Sequence, residues 1–203
     1  MQHLRLFGFL IVTSVGWSGD LQTTGFEVVD GVASFSATTN MSAISVHGKS
    51  QRLTAHASAR EEQNQLVIEK IDAQLDPASL STGMGQRDRH MREKVFMTPN
   101  GGTPELRFHA ENIKCPVAAN GQQTTCEISG TFSLREVTRP FRMNFRLRPE
   151  GNPANYRALA DGVIRLSDFG LEPPSQFGIR VNDDVAVRLE FVARRQTGGR
   201  ASR

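Results

Sequence analysis

The residue types in this chain that are best able to do chemistry are five histidines and two cysteines among 203 residues. His47, His56 and His109 lie in stretches where polar and apolar residues alternate, which predicts β-strands with these histidines on the outer face. His90 lies in a charge-dense segment of different character. The sequence contains no HExxH, CxxC or nucleophile-elbow pattern. We therefore predict neither a catalytic residue nor a metal site.

A serine, a histidine and an aspartate can still be combined on paper. Ser167, His90 and Asp168 are of the types that nucleophilic catalysis uses, but nothing in their spacing favours the combination. The net charge is only +3, and the positive residues are spread along the predicted strands. A nucleic-acid-binding protein would concentrate them on one basic face. The expected protein is thus neither an enzyme nor a nucleic-acid binder.

The two cysteines predict a disulfide. Cys115 and Cys126 flank an Asn-Gly turn signal between two strand patterns. Residues that face each other across such a hairpin bring their Cβ atoms close enough for a disulfide bond. Disulfides persist in oxidising compartments, so the pair favours a protein that is exported from the cytoplasm.

The N-terminal segment also predicts export. Residues 1–5 are positively charged, and residues 6–17 form an apolar stretch of signal-peptide length that is too short to cross a membrane. We interpret residues 1–18 as a signal peptide, with a first core strand as the competing interpretation. Residues 20–195 would form one domain and residues 196–203 a disordered tail. The predicted location is the periplasm or the exterior.

Alternation with a period of two residues recurs along the rest of the chain. From Phe141 to Arg148 every odd position is apolar and every even position is polar, which is typical of a strand with one solvated face. Similar patterns predict about eight or nine strands, the others near 26–38, 43–48, 52–60, 65–75, 106–110, 128–134, 156–166 and 185–191. Because closure removes exposed sheet edges, we predict an all-β fold built as an eight-stranded antiparallel barrel.

One segment, residues 77–96, predicts a short helical insertion. Met84, Met91 and Val95 would form an apolar stripe on one helical face. Asp88 and Arg92 lie four residues apart and would pair on the outer face. Two interpretations stay open: a solvated connecting helix on a barrel end, or a helix at the mouth of a binding cavity.

One predicted strand bears on the barrel interior. Leu53, Ala55, Ala57 and Ala59 point to the same face, where a close-packed core would normally carry larger side chains. The alanines could leave a long apolar cavity, or phenylalanines from other strands could fill the space. The sequence does not decide between these two arrangements.

Three short segments together resemble a known family. The first consists of Ser-Leu-Ser-Thr-Gly at 79–83, Arg-Asp-x-His-Met-Arg at 87–92 and Phe96. The second is Gly-Thr-Phe-Ser-Leu-Arg-Glu-Val-Thr-Arg-Pro at 130–140. The third is Leu-Ser-Asp-Phe-Gly-Leu at 166–171. In order and spacing they are similar to motifs of the YceI-like family, and the resemblance covers most of residues 26–193. One departure is Glu136, which stands where the family has glycine and predicts a different backbone geometry in that turn.

The resemblance implies a lipocalin-like barrel whose elongated apolar interior holds a polyisoprenoid chain, either an isoprenoid lipid or the tail of a quinone. It implies no other cofactor. Strand alternation predicts that the ligand contacts Phe35, Ala55, Ala57, Phe108, Phe132, Met143, Phe145, Leu189 and Phe191. Met91, Arg87 and Phe169 are candidates for the mouth of the barrel.

Three functions remain open on this basis. The first is a non-catalytic protein that sequesters or carries a long isoprenoid-type lipid. The second is a structural or stress-response interaction module with a packed barrel and no ligand. The third is an accessory protein that presents a quinone to a membrane cytochrome.

Overall fold

A computed structural model describes residues 23–63, 65–116 and 122–196. The strands are β1 (Thr24–Thr39), β2 (Ser45–Ser50), β3 (Thr54–Glu62), β4 (Gln65–Leu75), β5 (Leu106–Pro116), β6 (Thr124–Leu134), β7 (Val137–Glu150), β8 (Asn152–Arg165), β9 (Ser175–Gln176) and β10 (Ile179–Arg195). The helical elements are α1 (Gly85–Met91), which continues into a π-helical turn (Arg92–Phe96), and two short 3-10 turns at Pro77–Ser79 and Ser167–Phe169. The predicted signal peptide, the tail beyond residue 196 and the Asn-Gly turn between the cysteines lie outside the described residues.

Eight of the strands close into an antiparallel barrel, as predicted. Their order around the barrel is β1, β3, β4, β5, β6, β7, β8 and β10, and β10 pairs with β1 to complete the ring. Strands β3 and β2 pair with the same edge of β1, one after the other. Thr24 of β1 pairs with Ala59 of β3, and farther along Ala33 of β1 pairs with Ser50 of β2 in the same register. Closure leaves a single enclosed interior for the inward side chains.

The inward and outward faces follow the predicted alternation. On β7, Phe141, Met143 and Phe145 are buried, whereas Arg142 and Asn144 are exposed. The outer face carries salt bridges between neighbouring strands, and Asp161 receives hydrogen bonds from both Arg146 and Arg188. Solvated pairs of this kind add little stability, so the apolar interior is the main source of the fold's stability.

The insertion between β4 and β5 contains the predicted helix, but one part of the predicted apolar stripe is wrong. Met91 and Val95 pack against the buried core, whereas Met84 is 57% exposed. The reason is that α1 begins at Gly85, and Met84 has an extended backbone as its N-cap. Met84 therefore does not lie on the helical face that the spacing predicted.

The predicted outer pair of Asp88 and Arg92 is also wrong, because Asp88 is buried at 6% exposure. Its carboxylate accepts hydrogen bonds from the Ser81 hydroxyl at 2.8 Å and from the Thr82 backbone N–H at 2.7 Å, and the Thr82 hydroxyl donates to it as well. Arg87 then donates to the hydroxyl and carbonyl oxygens of Thr82. This network ties the start of the insertion to its helix.

Hydrogen bonds also hold the start of the insertion to strand β2 of the sheet. The backbone groups of Ser81 and Lys49 exchange two hydrogen bonds, and the hydroxyls of Ser50 and Ser79 lie 2.7 Å apart. The insertion thus lies along the edge of β2 that faces away from β1. Through its hydrogen bonds to Ser81 and Thr82, Asp88 joins the helix to the start of the insertion at one end of the barrel.

Among the described residues, no helix has both the length and the apolar character needed to cross a bilayer. The predicted disulfide is confirmed: Cys115 and Cys126 are bonded, with their Cα atoms 5.3 Å apart, near the end of β5 and the start of β6.

The first prediction concerns this disulfide. Replacing both cysteines (C115A/C126A) should lower the free energy of unfolding by about 2–3 kcal/mol, because the bridge restricts the unfolded chain. Urea unfolding measures the change, and dithiothreitol should bring the wild type down to the level of the variant without altering the variant itself. Equal stability of the oxidised wild type and the variant would contradict the prediction.

The second prediction concerns Asp88. Burial acts to raise the pKa of its carboxyl, but the hydrogen bonds from Thr82 and Ser81 outweigh burial and hold the pKa below its ordinary value. The carboxylate's contribution is therefore present above the unfolded pKa of about 3.9 and is lost as the pH falls through the lowered folded value.

Asp88→Asn should accordingly lower the free energy of unfolding by about 1.5–3 kcal/mol at neutral pH. The gap between wild type and variant should narrow between neutral and strongly acid pH, because the wild-type carboxyl becomes protonated as the pH falls below its ordinary pKa of about 3.9 and through the lower folded value. Urea unfolding at the two pH values tests this, with Asp168→Asn as a control because Asp168 is exposed. A gap of the same size at both pH values would refute the role assigned to the carboxylate.

Candidate functional site

The barrel interior contains two apolar cavities, of about 380 Å³ and about 240 Å³. We call the larger one the mouth cavity and the smaller one the inner cavity. Five side chains line both of them: Leu53, Ala73, Phe108, Met143 and Leu189. The two cavities are therefore neighbours that meet at this shared ring of side chains, which we call the constriction.

The mouth cavity lies where the insertion covers one end of the barrel. Its walls are inward residues of β1, β2 and β10, together with Met91, Val95 and Phe96 from the insertion and Phe177 from the β9–β10 turn. The cationic side chains of Arg87 and Arg107 and the imidazole of His90 also line it. A polar head group could contact these side chains while an apolar chain lies deeper in the barrel.

The inner cavity lies between the constriction and the opposite end of the barrel. Phe26, Ile71, Phe145, Phe191 and Tyr156 contribute large apolar surfaces to it. Its walls also carry Ala55, Ala57 and Ala160, whose side chains are too short to reach across the interior. An apolar cavity of this kind is suited to an aliphatic or aromatic occupant rather than to water.

Small inward residues explain why the barrel is not filled. Ala160 is completely buried on β8, and Ala57 of β3 and Ala73 of β4 line the inner cavity with it. Phenylalanines do fill one region, where the ring of Phe132 lies 5.5 Å from that of Phe141 and 5.8 Å from that of Phe169. The two arrangements that the sequence left open thus occur together: rings pack one part of the interior, and alanines leave space beside them.

The structure places eleven of the twelve predicted contact and mouth residues on the cavities. Those on the mouth cavity are Phe35, Met91, Phe108, Phe132, Met143 and Leu189, and those that line only the inner cavity are Ala55, Ala57, Phe145 and Phe191. Phe169 lines neither cavity, because it is buried in the 3-10 turn and packs its ring on Phe132. Arg87, the other residue predicted at the mouth, lines the mouth cavity.

Sequence reasoning missed several lining residues. Phe26 and Val28 lie beyond a bulge between Val29 and Val32, which changes the parity of the inward positions on β1. Extending the alternation from Phe35 would have placed them on the outer face. Leu80 and Phe96 lie in the irregular insertion, where no period indicates which side chain points inward. Phe177 lies in a turn and gave no signal of any kind.

The three family-like motifs meet in space. The guanidinium of Arg135 donates to the carbonyl oxygens of Val95 and Lys94 at the end of the π-helical turn, with distances of 2.9 Å and 2.6 Å. Arg139 donates to the carbonyl oxygen of Asp168 at 2.7 Å. The hairpin motif therefore bridges the insertion motif on one side and the Leu-Ser-Asp-Phe-Gly motif on the other.

In the turn that contains Glu136, the residue with positive φ is not at position 136, where the family has glycine. The residue with a left-handed backbone is Arg135, at φ 57°, and Glu136 avoids that region. Strain at Arg135 is offset by the two hydrogen bonds of its side chain to the insertion.

Ser167, one of the residues considered for catalysis, hydrogen-bonds to a different carboxylate, that of Asp183. The backbone N–H and hydroxyl of Ser167 both donate to Asp183, and these hydrogen bonds hold the pKa of the Asp183 carboxyl below its ordinary value. His90 lines the mouth cavity. Within residues 23–63, 65–116 and 122–196, no group of three or more histidine, cysteine, aspartate or glutamate side chains is placed to hold a metal ion.

Comparisons with known sequences agree with this architecture. A family model described as the YceI-like domain matches residues 20–193. A UPF0312 protein of Photorhabdus laumondii is 32% identical over 131 residues, which cover 61% of this chain and 62% of that protein. A UPF0312 protein of Pseudomonas savastanoi is 29% identical over 121 residues, covering 58% and 60%. The chain thus matches less than two thirds of the length of these relatives.

Solved structures with the same fold include a polyisoprenoid-binding domain from Saccharophagus degradans, with a TM-score of 0.58, 12% identity and coverage of 84% of this chain and 98% of that one. BcnA of Burkholderia cenocepacia has a TM-score of 0.54 at 15% identity, with coverage of 79% and 95%. These identities are low, so the likeness concerns the fold. With the family model matching residues 20–193 and the same barrel in these structures, the chain belongs to the YceI-like family.

Proposed function

We propose that this protein binds one long isoprenoid-type lipid inside its barrel and sequesters or carries it without changing it chemically. The observation that carries the proposal is the arrangement of the two apolar cavities, which adjoin each other at the constriction. Eight-stranded barrels are just wide enough to be filled by side chains or to hold one small ligand. Here alanines leave the space that a ligand would need.

Burial of apolar surface supplies the affinity in this proposal. Transfer from water contributes roughly 0.8 kcal/mol for each buried CH₂ group, so a chain of several five-carbon units needs no polar contact for tight binding. The mouth cavity of about 380 Å³ lies near the lower end of the usual range of about 300–1,000 Å³ for ligand sites. The inner cavity adds a second compartment in which a slender chain can continue.

The constriction favours a slender, flexible ligand over a compact one. Phe108 and Met143 are buried there, and Met143 has an unbranched thioether side chain that changes shape easily. A linear chain could displace this side chain and occupy both cavities. A rigid ring system of similar volume would fit in one cavity only.

The head group would lie at the mouth cavity beside Arg87 and His90. We propose these two side chains as its polar contacts, with Phe35, Met91 and Phe132 around the first units of the chain. In the YceI-like family, the Saccharophagus degradans domain is named for polyisoprenoid binding, which supports the same ligand class here. A quinone with an isoprenoid tail belongs to that class and would point to a membrane cytochrome as partner.

We further propose that the protein works in the periplasm or outside the cell. The disulfide between Cys115 and Cys126 is stable in those compartments and is rare in the cytoplasm. The apolar segment at residues 6–17 supports the same location, as the core of a signal peptide.

The third prediction is that lipid accompanies the purified protein. Extraction with organic solvent followed by mass spectrometry should recover an isoprenoid alcohol, isoprenoid phosphate or quinone in about equal molar amount. A protein that yields no lipid, and that also fails to take up added solanesol or ubiquinone, would contradict the proposed function and favour a packed interaction module.

The fourth prediction tests the inner cavity. Ala57→Phe places a ring in that cavity, so it should weaken binding of the long alcohol solanesol by at least about tenfold and leave binding of the shorter geranylgeraniol nearly unchanged. Ala186→Phe makes the same change at an exposed position of β10 and serves as the matched control. Circular dichroism verifies that both variants fold. Equal loss of both ligands, or an equal effect of the control, would refute the use of the inner cavity.

A further inference from the structure

The β9–β10 turn combines an unfavourable backbone with an exposed aromatic ring. Gln176 pairs with Ile179, so Phe177 and Gly178 form a two-residue turn, with φ angles of 53° and 81°. Turns in which both central residues have positive φ favour Asn-Gly, and a bulky residue with positive φ is a genuine outlier. Phe177 is nevertheless 94% exposed, so its ring gains nothing from packing in the fold.

A residue that destabilises the fold and is exposed to solvent indicates a function other than stabilising the fold. Phe177 also lines the opening of the mouth cavity, as does Ile44 in the β1–β2 loop. Met41, in that same loop, is another exposed apolar side chain. These three apolar side chains thus lie on the two loops at the mouth of the barrel.

Hydrogen bonds hold the two loops together. The Asn40 side-chain amide donates to the carbonyl oxygen of Gly178 at 3.1 Å, and its oxygen accepts from the Arg180 backbone N–H at 2.8 Å. The backbone N–H of Asn40 donates in turn to the carbonyl oxygen of Arg180. Residues 40–44 and 173–179, which we call the rim, are therefore one connected surface.

The rim contains no charged residue, although 22% of the whole chain is charged. A surface that enters the apolar boundary of a bilayer must avoid burying charges, because removing them from water is costly. Two exposed charged residues flank the rim: Arg180, three residues after Phe177, and Glu172, five residues before it. The cation is thus the nearer of the two to Phe177 along the chain. An apolar tip with a cation just behind it is the arrangement that places a side chain in the lipid layer and a positive charge at the phosphates.

We propose that the rim docks on the surface of a lipid bilayer, with Phe177 inserted, and that the ligand passes between the membrane and the mouth cavity at this contact. The second part rests on the proposed function. Passage through the contact avoids the transfer of a long apolar chain through water. The occupant of the rim is thus a phospholipid surface rather than a protein.

Flotation with vesicles of phosphatidylethanolamine and phosphatidylglycerol tests the docking, and it requires no bound ligand. Phe177→Asn should lower the fraction of protein that floats by about tenfold, because the apolar anchor is lost. The same variant should unfold at an equal or higher temperature than the wild type, because Asn suits the left-handed turn. Val163→Asn removes another exposed apolar side chain (57% exposed), on the outer wall at β8, and should float like the wild type.

A wild type that does not float, or a Phe177→Asn variant that floats equally well, would overturn the docking proposal. So would an equal loss in the Val163→Asn variant. The rate at which solanesol moves from loaded vesicles to the protein should fall with Phe177→Asn and should not change with Val163→Asn, whose side chain lies on the outer wall. The wild type should also load with solanesol from detergent. Failure of loading in the wild type would instead refute the proposed function and leave the flotation result standing.

Discussion

The pairing of β1 with β10 is the interaction on which the rest of the structure depends. It joins the first and last strands from Phe26–Arg195 to Thr39–Val181 and turns an open sheet into a closed barrel. Only a closed sheet creates an interior in which alternate residues of every strand face one another. Without this closure, Ala57 and Phe191 would not line one cavity, although they lie far apart in the sequence.

The end of the barrel is completed by polar contacts rather than by strand pairing. Strand β4 ends at Leu75, and the insertion then lies along β2 through Ser81 and Lys49. The buried carboxylate of Asp88 orders the start of this segment, and Arg135 binds the carbonyl oxygens at its end. These contacts explain why Asp88 and Arg135 occur in the motifs: they position the wall of the mouth cavity, which Arg87 and His90 also line.

The regular elements could be predicted from the sequence because burial on one face imposes a period of two residues. That period identified β7 and β10 and, through them, inward residues such as Met143 and Leu189. In irregular segments this period does not predict which side chains point into the barrel. Met84 was placed on the wrong face because the helix begins only at Gly85, and Phe177 was missed because a turn has no period. The cavities themselves depend on how side chains from eight strands meet, which no single strand pattern contains.

In the function that we propose, one chain-like ligand occupies the interior on both sides of the constriction. Met143 lines both cavities, whereas Met84 lies exposed and lines neither. Nuclear magnetic resonance of protein labelled with ¹³C at the methionine methyl groups, before and after addition of solanesol, observes these positions directly. We predict a shifted Met143 signal with nuclear Overhauser contacts to the isoprenoid methyl groups, and an unchanged Met84 signal. Bound solanesol that leaves the Met143 signal unchanged would contradict the account.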